Sequence, residues 1–167
     1  MSATAKTKET KTLAERADIH ELYEEAVQSV DAEVDFLHTT FRALRGRNAQ
    51  SFREDFCGTA SACCEWVRRT VQGFAIGVDH DPHVLEWGRK NRVARLAEKE
   101  RARVKLLESD VRTVESDCVD VIGAFNFSYF RFETRAELRE YFARAHSALN
   151  DAGLLFLDAF GGPESIS

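Results

Sequence analysis

The sequence predicts an α/β fold, a doubly wound and mainly parallel sheet preceded by N-terminal helices. Three observations carry that reading. From Ser51 onward, short apolar runs alternate with amphipathic helical patterns. The runs are apolar on both faces, as strands covered by helices on both sides are. Polar residues gather just after each run, where doubly wound sheets place their ligands.

The elements follow in order. Residues 1–12 are lysine-containing, lack an apolar core or a small-residue cleavage site, and read as a disordered tail. Residues 13–50 form a helical segment: Leu22, Ala26, Val30, Val34, Leu37, Phe41 and Leu44 recur at steps of three and four. This predicts one long helix or two consecutive ones from Leu13 to Leu44, with a break near Ser29 to Asp31, and Gly46 and Asn48 as the stop. Residues 51–167 then form the α/β domain. Its strands are expected at Ser51 to Phe56, Phe74 to Val78, Arg103 to Leu107, Asp120 to Phe125 and Leu154 to Phe160. A helix over Ala60 to Thr70 turns Trp66 and Val67 inward. Another opens at Asp81-Pro82, an aspartate N-cap with proline in the first turn. Thr134 and Glu137 form a capping box for a helix that Asn150 to Gly153 ends.

Bulk properties exclude several classes. The 167 residues suffice for one core, and 44% hydrophobic with 31% charged residues is the balance of a globular protein. The longest apolar runs are strand-sized, so no membrane partner is expected, and a cytoplasmic location follows. The net charge of −5 argues against a large phosphate-binding surface, which makes double-stranded nucleic acid a poor partner. Cys57, Cys63, Cys64 and Cys118 match neither a disulfide framework nor a zinc site; they read as reduced thiols, and no metal is expected.

The strand ends supply a ligand site. Asp79 stands 25 residues past Glu54 at the end of the next strand, where its carboxylate can accept from both hydroxyls of a ribose. Asp110 can accept from the exocyclic amine of adenine while the backbone N–H of Val111 meets the ring. Gly58 admits a close backbone approach. Together these describe a site for an adenosine.

Three segments then resemble class I S-adenosylmethionine-dependent methyltransferases. EDFCGTA stands where the family carries an acid and a loop of the form D-x-G-C-G-T-G; AIGVDHDPHVLEWGRKN resembles its second strand, ribose-binding acid and helix; LNDAGLLFLDAFGG resembles its fifth strand and the preceding turn. The resemblance covers Ser51 to Gly162, the N-terminal two-thirds of such an enzyme. With the upstream helix ELYEEAVQSVDAEVDFL it is also similar to a bacterial subgroup of unsettled substrate. It implies S-adenosylmethionine as cofactor, with Glu54, Cys57, Gly58 and Thr59 at the methionine part, Asp79 at the ribose, Asp110 and Val111 at the adenine, His80 brushing the adenine, and Asn126 and Phe127 flanking the methyl group. Phe56 and Ala60 replace the first and last motif glycines, so the loop is expected to be less permissive. The family's sheet has seven strands, yet seven residues follow Phe160; the last two strands are expected to be missing, leaving an edge that invites a homodimer.

The implied activity is methyl transfer to an acceptor, a small molecule first, with nucleic acid or protein left open. No residue is an obvious base; Tyr129 and Asp158 are candidates, and Asn126 is a candidate for holding an amine, by comparison with the Asn-Pro-Pro-Tyr motif of amino-methylating enzymes. Asp158 also reads as a lone buried acid or as a water-facing strand end. His80 and His83 read as partly exposed residues at a helix start rather than as bases. The alternatives are a nicotinamide-dependent oxidoreductase, whose phosphate loop Phe56 and Ala60 fit worse, and a non-catalytic cofactor-binding or interaction module with the same fold.

Overall fold

The computed structural model describes residues 12, 17–27 and 29–161. The expected tail and the start of the expected first helix otherwise lie outside the described residues. Two N-terminal helices, α1 (Ile19–Val27) and α2 (Val30–Arg45), precede the α/β unit. Gly46 closes α2 in the left-handed conformation, its N–H bonded to Arg42 O. The remaining order is β1 (Ser51–Asp55), α3 (Ser61–Arg69), β2 (Phe74–Asp79), α4 (Pro82–Asn91), α5 (Glu98–Arg101), β3 (Val104–Glu108), β4 (Val119–Ala124), α6 (Arg135–Ser147) and β5 (Leu149–Leu157). Short 3-10 turns at Val93–Arg95 and Ser128–Arg131, like α5, are additions to the sequence reading.

Both cap signals act as read. Asp81 accepts from His83 N at 2.8 Å, and Thr134 and Glu137 bond reciprocally. The five strands are parallel and ordered β3-β2-β1-β4-β5, so the chain reverses direction across the sheet between β1 and β4. Each face carries its own core. On one, Val34, Leu37 and Phe41 of α2 meet Phe52, Trp66, Val67 and Leu85. On the other, Ile76, Val78 and Ile122 meet Tyr141 and Ala145 of α6. Such two-sided burial is what the apolar runs require.

Two local expectations are corrected. The Asn150 to Gly153 turn and a strand from Leu154 to Phe160 give way to a strand running from Leu149 to Leu157, with a bulge against β4 between the Val119–Leu149 and Val121–Leu154 pairs. Tertiary partners hold those turn-forming residues in the sheet: Asn150 Nδ2 donates to Asp120 Oδ1 at 3.0 Å, and Arg45 Nε donates to Ala152 O at 2.8 Å. Asp120 also receives Arg47 Nη2 at 2.7 Å and Gln50 N at 2.8 Å. Burial raises the Asp120 carboxyl, but these donors outweigh it and bring it down to about 2.

β1 is less simply apolar than the strand reading implies. Arg53 and Asp55 both point to the α6 face with no solvent exposure and pair at 2.8 Å. Arg53 Nη1 also donates to Ser116 Oγ at 3.1 Å. The Tyr141 hydroxyl is buried near this pair without a hydrogen bond of standard geometry.

Candidate functional site

The site lies beyond the carboxyl ends of β1, β2 and β4, at the reversal of strand order. Its floor is the loop from β1 to α3. Phe56, Gly58 and Ala60 all hold left-handed backbone, at φ of 61°, 51° and 61°. The two positions where glycine is replaced therefore keep the glycine-like conformation despite their side chains, at a cost of about 1–2 kcal/mol each. Bonds from Cys57 N to Val78 O and from Ala60 N to Cys57 O, at 2.9 and 2.8 Å, hold the loop in that shape. α4 presses against it at Gly88, where a Cβ would stand 2.5 Å from Thr59 O.

At Gly58 a Cβ would meet nothing within 4 Å, so the loop presents bare backbone to open space. Gly58→Ala is expected to lose about 1–2 kcal/mol through left-handed strain alone, without a clash. Urea denaturation checks it; unchanged stability would refute the strained loop.

Above the loop is a cavity of about 560 Å³, within the range of small-molecule sites. Glu54, Phe56, Cys57, Gly58, Thr59, Asp79, His80, Asn126 and Phe127 all reach it. A narrower hollow of about 120 Å³ adjoins it, shared through Phe56, Asp79 and His80 and continued by Asp110 and Val111. Every expected cofactor residue thus lies on one of two neighbouring hollows.

Asp79 connects them. Its Oδ2 accepts from Gly58 N at 2.9 Å and its Oδ1 from Asp81 N at 3.0 Å, which fixes the carboxylate against the loop. Asp110 is held differently: Arg112 donates to it from Nη2 at 2.6 Å and from its own backbone N at 2.8 Å, and this guanidinium is the main reason its carboxyl lies below the ordinary value. Any ligand amine shares that carboxylate with Arg112. Thr59 offers backbone rather than its hydroxyl, which donates to Glu24. Cys57 is buried, and burial pushes its thiol far up, so it is no nucleophile.

Glu54 is the most perturbed acid of the cavity. Burial drives its carboxyl up to about 8, and the Cys63 thiol at 3.5 Å offsets only part of that. The folded state therefore keeps Glu54 protonated at neutral pH. Its contribution to stability is complete below the ordinary carboxyl pKa near 4.5 and is lost as pH rises through about 8. Glu54 should make the melting temperature fall between about pH 4.5 and about pH 8 and level off above that, and Glu54→Gln should flatten the fall; parallel profiles in thermal melts would refute the assignment.

Asn126 and Phe127 follow β4, both left-handed at φ of 54° and 56°. Asp158, just past β5, accepts from Phe127 N at 2.9 Å. It is half-buried and outside the cavity wall, so it holds the loop that carries Asn126. Tyr129 is also left outside: its ring packs on Phe130 and Phe142, and, like Asp158, it lines neither hollow. Alternation after β4 gave no sign of the 3-10 turn that rotates it away.

The N-terminal helix closes one wall, which sequence reasoning missed. His20 and Tyr23 of α1 reach the cavity. Glu24 accepts from Thr59 and Ser61 hydroxyls and from Arg92 Nε, the latter at 2.9 Å, and Trp87 Nε1 donates to Asp18 at 2.8 Å. Burial raises the Glu24 carboxyl, but the Arg92, Ser61 and Thr59 donors outweigh it and leave it lowered. Ile19, Leu22 and Tyr23 remain exposed. Polar bonds thus dock α1 on the loop, and apolar periodicity carries no signal for them.

Solved structures share this fold. The amino pentose methyltransferase CalS10 from Micromonospora echinaspora, crystallised with SAM, superimposes with a TM-score of 0.70 at 23% identity over 89% of this chain. Streptomyces venezuelae DesVI gives 0.73 at 18% over 91%, and the sugar N-methyltransferase KedS8 from Streptoalloteichus sp. ATCC 53650 gives 0.70 at 17% over 99%. The chain has the Rossmann-like methyltransferase fold. It spans 58%, 60% and 62% of the CalS10, DesVI and KedS8 chains. No family model and no curated protein matches the sequence. Among the described residues, no helix of this methyltransferase fold is long and apolar enough to cross a membrane.

Proposed function

We propose that the chain binds S-adenosylmethionine and serves methyl transfer to a small molecule. The observation that carries this reading is the Asp79 carboxylate, bonded to Gly58 N and bordering both hollows, beside a loop whose bare backbone faces the larger one. Asp79 accepts the ribose hydroxyls, Val111 N–H and Asp110 hold the adenine in the narrow hollow, and the Gly58 backbone supports the methionine part. When bound, the cofactor supplies an electrophilic methyl group on a good leaving group. The protein's own part is then to align the acceptor, exclude water and receive a proton where the acceptor must lose one.

Asn126 is the residue at the acceptor side, its backbone fixed by the Asp158 bond to its neighbour. Its amide oxygen suits an amine, and CalS10 and KedS8 are named as methyltransferases of an amino pentose and of a sugar nitrogen. An amine-bearing small molecule is accordingly the acceptor class. Full turnover of such an acceptor by Asn126→Ala would refute this role.

A nicotinamide cofactor is the competing occupant. A pyrophosphate needs several free N–H groups at the loop and helix start, but Gly58 N is engaged by Asp79 and Ala60 N by Cys57 O. Calorimetric titration with S-adenosylmethionine, S-adenosylhomocysteine and NAD tests the choice. Micromolar binding of the adenosyl ligands without NAD binding is expected; NAD binding alone would overturn the reading, and no binding would favour the non-catalytic module.

A further inference from the structure

Among the side chains that line the larger cavity, Arg131 is the sole lysine or arginine. It also lines the narrow hollow, at the boundary between the two. Its guanidinium carbon stands 5.9 Å from the Phe56 ring centroid, and it makes no ion pair or side-chain hydrogen bond among the described residues. Unpaired arginines occur elsewhere on the surface; this one is distinguished by standing at a ligand cavity. An arginine resting on an aromatic face keeps its N–H fork free for a bidentate anion.

The acids of the two hollows are occupied. Asp79 is bonded to Gly58 N and Asp81 N, Asp81 caps α4 through His83 N, and Asp110 is held by Arg112. Glu54 is buried and bonded by the Cys63 thiol. Arg131 is exposed at the rim of the cavity, and among the described residues no acid pairs with it, so its guanidinium is open to an anion on a ligand.

The cofactor is the first possible source, through its methionine carboxylate. On the reading above, however, the methionine lies at Gly58 and Thr59, while Arg131 shares the narrow hollow with Asp110 and Val111, at the adenine end. Arg131 also ends the 3-10 turn that follows Asn126 and Phe127, the acceptor side of the site. We infer that the methyl acceptor carries an anionic group, a carboxylate or phosphate, which Arg131 receives through its guanidinium fork. This inference rests on the cofactor reading, and it makes Arg131 a specificity-determining residue. The acceptor class becomes a small amine that also bears an anion, held at two points.

The test uses inorganic pyrophosphate and acetate as probes, titrated calorimetrically into the chain saturated with S-adenosylhomocysteine and into the ligand-free chain. Wild type should bind at least one probe, and which one separates phosphate from carboxylate. Arg131→Gln should weaken that binding about tenfold or more while changing S-adenosylhomocysteine affinity less than twofold, and Arg131→Lys should recover only part. Three results would overturn the inference: no binding of either probe, equal binding by Arg131→Gln, or a tenfold loss of S-adenosylhomocysteine affinity in that variant, which would assign the arginine to the cofactor's own carboxylate. If wild type binds no S-adenosylhomocysteine, the cofactor reading fails by itself. The ligand-free titration then decides for Arg131: probe binding that depends on it retains the anion site, and none removes it.

Discussion

Asp79→Ala is expected to weaken S-adenosylhomocysteine binding by a hundredfold or more while leaving the protein folded. The carboxylate is nearly buried and makes two backbone hydrogen bonds, to Gly58 N and Asp81 N. Hydrogen bonds to a charged group contribute about 1.5–3 kcal/mol each. Removing the carboxylate would delete the proposed ribose contacts and would also free Gly58 N, which it holds; two such losses correspond to two or more powers of ten in affinity. Calorimetry reads the affinity, and circular dichroism separates a binding defect from unfolding. A folded Asp79→Ala protein with wild-type affinity would remove Asp79 from the site.

The largest effect on stability is expected at Asp55. Its carboxylate and the Arg53 guanidinium are both fully buried on the central strand, 2.8 Å apart. Burial pushes the Asp55 carboxyl up, and Arg53 offsets only part of that. Asp55→Ala leaves the Arg53 charge buried with only Ser116 as partner, at a cost of about 3–5 kcal/mol. Against a total of roughly 5–15 kcal/mol for a domain, that brings the chain near unfolding. Replacing both, as Arg53→Met with Asp55→Leu, should restore most of the loss, because two apolar groups need no partner. Urea denaturation of the three proteins checks it. If Asp55→Ala costs less than 1 kcal/mol, or the double variant is no better than the single, the pair is not the energetic unit described.

Where sequence and structure agree, the signals are local. The Asp81-Pro82 and Thr134–Glu137 caps act within one helical turn, and two-sided apolar runs mark strands by composition alone. Asp79, Gly58 and Asp110 were legible because each stands at the end of a strand whose direction is common to the sheet. Where they diverge, distant partners decided the outcome. Asn150 to Gly153 has the composition of a turn, yet Asp120 and Arg45 draw it into β5 as a bulge. Phe56 and Ala60 are poor residues for left-handed backbone, but Val78 O, Cys57 O and the packing of Gly88 on Thr59 hold them there.

Periodicity, caps and strand-end position are properties of neighbouring residues, so the parallel α/β architecture, the loop at Gly58 and the row of polar residues at the strand ends could be read along the chain. The tertiary structure alone decided that Glu24, 35 residues before Thr59 and 68 before Arg92, binds α1 to that loop. It alone set Arg53 against Asp55 inside the sheet, left Tyr129 outside the cavity and brought Arg131 to it. The physical reason is that the charge of a side chain is written in the sequence, whereas its burial and its partner depend on which segments the folded sheet brings together.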